Sequence, residues 1–138
     1  MYVEFNSEIV DSKDIVGVIE KNTEFKVLKD MSKGSKREDI LAYNLSVDIN
    51  ILKELLEEEE FNLAELTEDE LFEEYLSLAE EIGMDIEEYV PQGSILDIKA
   101  YKWDQSDNAI KLVIIIAPED IFEIKLRDIM KRLITQVE

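Results

Sequence analysis

The chain has 138 residues with no cysteine and no histidine, and its 34 acidic residues against 15 basic ones give a formal charge of −19. Without Cys there is no thiolate nucleophile, disulfide, thiolate zinc site or cysteine-ligated cluster. Without His the usual general base near neutral pH and the commonest metal ligand are gone, and a Ser-His-Asp triad cannot be assembled from this chain. Carboxylates, Lys, Tyr and hydroxyls are what remain for catalysis, so the expectation is a protein that is not an enzyme and carries no cofactor and no metal. Hydrophobic residues at 46% beside charged residues at 36% describe a folded, well-solvated chain. Its length suits one domain over 1–138, since single cores usually span roughly 100–150 residues. The longest apolar run, Leu112 to Ala117, is far short of the roughly 18 residues of a membrane span. "MYVEFNSEIV" lacks the basic region and apolar block of a signal peptide, and a cytoplasmic protein is the expectation.

In chain order, "MYVEF" and "DIVGVIEK" read as short strands around a polar turn, Asn6 to Lys13. "TEFKVLKDM" alternates as a third strand, and "SKGSKRED" is a loop by its Gly34 and two serines. "DILAYNLSV" reads as a fourth strand or as a lead directly into a helix, with strand the favoured reading. From Asp48 the period becomes helical: Ile49, Leu52, Leu55 and Leu56 share a stripe that Glu59 would interrupt, so the helix is expected to end near Glu58. "TEDE", Thr67 to Glu70, is a capping box opening a second helix with Leu71, Tyr75, Leu78 and Ile82 on one side and Gly83 as a left-handed stop. Asp85 is then expected to cap one further turn that Pro91 ends. "SILDIKAYKWD" and "NAIKLVIIIA" form a hairpin over 94–117 whose second strand is apolar enough to lie inside a sheet. Pro118 is expected to open a closing helix that buries Phe122, Leu126, Ile129, Leu133 and Val137. The order predicts an α+β fold: a largely antiparallel sheet of the N-terminal strands plus the hairpin, packed with two central acidic helices and a C-terminal helix.

The charge is unevenly spread. Between Asp48 and Glu88 there are 17 acidic residues and one cation, Lys53, a local charge of −16 that leaves only −3 for the rest of the chain. On the capped helix Glu70, Glu73, Glu74, Glu80 and Glu81 oppose the apolar stripe with almost no cation at i+4, although such pairs would add a few tenths of a kcal/mol each. With Asp85, Glu87 and Glu88 they form the predicted partner-binding face within the acidic segment 48–90.

Three motifs and one strand face bear on chemistry. "LSLAEEIGMDIEEYV" resembles the helix-turn-helix of bacterial DNA-binding domains, with Ala79 and Gly83 at the familiar spacing. That likeness implies DNA binding, but Asp85, Glu87 and Glu88 on the second helix would repel phosphates, and a plain helix–helix corner is expected. "DQSDNAIKLVII" starts like a calcium loop, with Asp104, Ser106 and Asn108, yet has Ala109 and Ile115 where that loop needs Gly and Glu. "DIK", Asp97 to Lys99, with Asp85 upstream, is similar to the acidic-x-Lys strand of restriction-type nucleases, which implies magnesium-dependent cleavage. Alternation would also place Asp97, Lys99, Tyr101 and Trp103 on one strand face, either a packing surface beneath a helix or a second contact face.

The leading expectation is a small acidic binding protein docking a basic surface of a partner protein such as a nuclease, a toxin or another nucleic-acid-handling protein. It would be of inhibitor, immunity or DNA-mimic type, similar to anti-restriction and anti-CRISPR proteins in composition alone, without contacting nucleic acid or membrane. The alternatives are a structural or assembly protein that self-associates through a sheet face and, last, the magnesium-dependent carboxylate nuclease.

Overall fold

The computed structural model describes residues 1–5, 8–59 and 62–137. Strand β1 (Tyr2–Phe5) turns Val3 and Phe5 inward and pairs antiparallel with β2 (Glu8–Asp11) as a separate two-stranded sheet. The expected turn over 6–13 therefore contains a strand, while its Asn6 and Ser7 lie outside the described residues.

The next segment corrects the reading of "DIVGVIEK": it is helix α1 (Ser12–Asn22). Its Val and Ile residues favour strands by propensity, but Ile15 and Ile19 stand one helical turn apart and both are buried. Asp11 caps the helix by accepting from the Lys13 N–H at 3.1 Å.

Strand β3 (Lys26–Asp30) has a bulge between Val27 and Lys29, with Leu28 left half-exposed. The bulge explains why its alternation fails: Phe25 enters one core and Met31 the other. Strand β4 (Leu41–Asp48) runs directly into α2 (Ile49–Glu58), with Asp48 accepting from the Asn50 N–H at 2.7 Å. After it come α3 (Glu68–Gly83), β5 (Ser94–Asp104), β6 (Ala109–Pro118) and α4 (Glu123–Val137). The expected end of α2 near Glu58 and the hairpin both hold.

A four-stranded antiparallel sheet in the order β3-β4-β6-β5 divides the molecule into two cores. Strand β6 is buried from Ala109 to Ala117. Its Ile110, Leu112, Ile114 and Ile116 meet α1, α2, α3 and the β1–β2 hairpin on one side, while Val113, Ile115 and Ala117 meet α4 on the other. Each such aliphatic burial is worth about 1.5–3 kcal/mol before entropy, so this strand anchors both layers. The expected α+β class with an antiparallel sheet, acidic central helices and a C-terminal helix is what the fold shows.

Three boundary expectations are corrected. Gly83 has φ −62 and continues the helical backbone into a 3-10 segment, Met84–Tyr89, instead of providing a left-handed stop. Asp85 lies inside that segment, which has no side-chain cap. Pro118 is the last residue of β6, and α4 starts five residues later, leaving Phe122 73% exposed while Leu126, Ile129, Met130 and Leu133 are buried. No described helix is long and apolar enough to cross a membrane.

Candidate functional site

Helix α3 is built rigidly from its first turn. The Thr67 hydroxyl accepts from the Glu70 N–H at 3.1 Å, and the Glu70 carboxylate accepts from the Thr67 N–H at 3.1 Å, a complete capping box. Its inner side seats Tyr75, Leu78 and Ala79 in the core. Near its end a Cβ on Gly83 would come within 2.9 Å of Ile98 Cδ1 on β5. The small residues Ala79 and Gly83, which carried the helix-turn-helix likeness, thus serve a close approach of helix to sheet. Beyond Gly83 the chain forms a 3-10 turn in place of a recognition helix.

At roughly 100° per residue, Glu80, Glu73, Glu70, Glu81 and Glu74 follow one another around the outer side of α3. Glu73 and Glu81 are exposed at its centre, and Glu80 and Glu74, at its two margins, are half-buried. Glu70 belongs to this surface but its carboxylate is held by the cap. Asp85, Glu87 and Glu88 extend the acidic surface past the helix end, all exposed. Asp85 and Glu88 turn toward a cleft of about 390 Å³ beside α2 and the end of α1. Among the described residues, the acidic members of ion pairs are Asp11, Asp39, Asp104, Asp107 and Glu123, and none lies between Asp48 and Glu88. Among the described residues, then, no cation forms an ion pair with this acidic surface.

The predicted second face is split by the structure. A bulge in β5 between Ala100 and Lys102 inserts one extra residue, and Ala100 pairs with Leu112 while Lys102 pairs with Lys111. Before it, Asp97 and Lys99 pair with Ile115 and Val113 and so point to the α4 side. Tyr101 packs on that side too, its hydroxyl donating to Asn44 Oδ1 at 2.9 Å. Past the bulge, Trp103 pairs with Ile110 and packs into the α3 side. The correction follows from the period of two: one inserted residue moves every later side chain to the other face.

Asp97 and Lys99 instead line a cleft of about 550 Å³ with Arg127, Met130, Lys131 and Ile134 of α4. Burial pushes the Asp97 carboxyl up from its usual value, with the Glu80 charge adding to the shift. Asp85 lines a different cleft, so the acidic-x-Lys reading does not gain its upstream carboxylate. Among the described residues no three His, Cys, Asp or Glu side chains are grouped to hold a metal ion. The calcium-loop likeness resolves into the hairpin turn: Asp104 accepts from the N–H groups of Ser106 and Asp107 at 2.9 and 3.2 Å, and Asn108 has φ 49.

Trp103 acquires partners that sequence reasoning did not assign it. Its ring stacks on Phe72 of α3 with centroids 6.5 Å apart and planes 11° apart, and it meets Tyr75 edge-on at 5.2 Å. Phe72 and Trp103 form the wall of a groove of about 510 Å³ completed by Glu68, Asp69, Leu71 and Gln105. Phe72 flanks the apolar stripe of α3, and that position was the available signal; its partner on β5 depended on the bulge. Comparison with protein-family models, with curated proteins and with solved structures finds no match to this chain.

Proposed function

We infer that this is a small, non-enzymatic binding protein whose acidic α3 surface docks on a basic surface of a partner protein, as an inhibitor, an immunity protein or a nucleic-acid mimic would. The observation that carries this reading is the rigidly capped helix whose outer carboxylates have no cation partner among the described residues. Acidic residues three or four positions apart on a helix have Cβ atoms about 5–6 Å from one another and so present a regular row of negative charge, as a phosphate backbone does. A basic surface built for a nucleic-acid backbone would meet a comparable array here. Opposed charges of this density speed encounter and make the complex sensitive to salt.

Self-association through a sheet face has less support, because helices pack on both faces of the four-stranded sheet and Tyr101 and Trp103 do not share one. The nuclease reading finds no converging set of carboxylates among the described residues.

The test is charge reversal. With the protein as bait in extract from its native cells, the retained partner is expected to be basic and to elute as NaCl rises from 50 to 500 mM. Changing Glu73, Glu74, Glu80 and Glu81 together to Lys is expected to abolish retention while far-UV circular dichroism stays unchanged. Retention of every partner by the folded quadruple variant sinks the reading.

A further inference from the structure

The groove at the N-terminal end of α3 has more acidity than the helix requires and an aromatic wall whose Phe72 is left exposed. The partial positive charge at a helix N-terminus is about half an elementary charge. Glu68 and Asp69 bring two full negative charges to the groove, in addition to Glu70, which is held in the capping box. A net negative rim remains after the dipole is offset. The aromatic wall is fixed in place: Trp103 is braced edge-on by the buried Tyr75, and Phe72, stacked on it, keeps 36% of its surface exposed. Aromatic faces beside carboxylates are complementary to one kind of side chain. A guanidinium is planar, weakly hydrated and always charged; it lies flat on a ring and donates in plane to carboxylates. The groove opens next to the acidic surface, since Asp69 leads directly into the arc that holds Glu73 and Glu80.

We propose that this groove is an arginine-anchoring pocket, in which an arginine of the basic partner lies against Phe72 and Trp103 and donates hydrogen bonds to Glu68 and Asp69. The assignment rests on the basic-partner reading above and specifies where the surrounding electrostatic surface gains selectivity. Central aromatic anchors carry much of the energy of an interface, while the charges around them set rate and register.

Trp103 is the single tryptophan of the chain, so its fluorescence reports on this groove alone. The full-length protein is titrated at low salt with blocked octa-arginine and, separately, octa-lysine, with Trp103 emission and calorimetric heat both recorded. Octa-arginine is expected to shift or quench Trp103 emission saturably and to bind several-fold more tightly than octa-lysine. Removing one aromatic face costs roughly two- to fivefold at an exposed cation–π contact. Phe72→Leu, which keeps apolar bulk, and Phe72→Ala are both expected to lower octa-arginine affinity by that order and to narrow the arginine preference. Glu68→Gln with Asp69→Asn is expected to weaken it further. A Glu80→Gln and Glu81→Gln control is expected to weaken both peptides equally while keeping the preference. Equal affinity for the two peptides with Trp103 emission unmoved overturns the pocket and leaves the acidic docking surface standing. Absence of binding by either peptide to the folded protein overturns both.

Discussion

Asp97 shows how a single residue acquires a property from its surroundings. Alternation places it on a strand face, but its partial burial beside α4 and the nearby Glu80 charge are what raise its carboxyl pKa. A raised carboxyl pKa means that folding disfavours the ionised form. Stability is then lost as pH rises from the unfolded value of 3.8 through the higher folded one. Asp97→Asn is therefore expected to raise the thermal midpoint at pH 7, with the gain over the unaltered protein shrinking toward zero as pH falls below 4. Parallel thermal scans at pH 3.5, 5 and 7 check this, and a gain that is constant across that range would contradict it. Gly83 illustrates the reverse case. Its sequence context suggested a left-handed stop, whereas its observed use is space, since Ile98 occupies the room where a Cβ would stand.

At the scale of elements, α3 was the most legible part of the chain. The capping box and the stripe of Leu71, Tyr75, Leu78 and Ile82 are local patterns, and the helix begins where they say. Because it carries the proposed docking surface, its cap is expected to matter for binding as well as stability. Thr67→Ala is expected to cost about 1 kcal/mol, the usual loss for an N-cap side chain, read as a lower urea midpoint at unchanged slope. A change in slope would show instead that the helix detaches before the rest unfolds. Helix α1 was illegible for an equally physical reason. "DIVGVIEK" has strand-forming side chains, and only packing of Ile15 and Ile19 on the sheet overrides their propensity. The two bulges, in β3 and β5, were invisible because an inserted residue leaves no composition signal; it is defined by the strand opposite. The second bulge decided the functional question of which face Trp103 serves.

For the whole molecule, charge is organised by layer. The −16 carried by Asp48 to Glu88 falls mainly on α2, α3 and the turn after it. On the far side of the sheet, α4 has Lys125, Arg127, Lys131 and Arg132 against Glu123 and Asp128. Repulsion within the acidic layer opposes the folded state and is screened over about 10 Å at 0.1 M salt. The thermal midpoint at pH 7 is accordingly expected to rise with NaCl between 10 mM and 500 mM, while complex formation weakens over the same range. A midpoint that falls or stays flat would mean that the carboxylates are neutralised in a way that the fold does not reveal. The opposite signs of these two salt effects distinguish a surface meant to be covered from one that stabilises its own fold.

By itself the sequence determined the class of fold, the excluded chemistry, the central position of β6 and the acidic outer side of a capped helix. Each rests on composition or on a period of two or 3.6 residues, and such periods are properties of neighbours along the chain. Only the tertiary structure decided that α1 is a helix, that Asp97 and Trp103 serve opposite faces, and that Phe72, Trp103, Glu68 and Asp69 share one groove. Those facts depend on strand register and on which helix lies over which strand, and register is set by contacts between residues far apart in sequence.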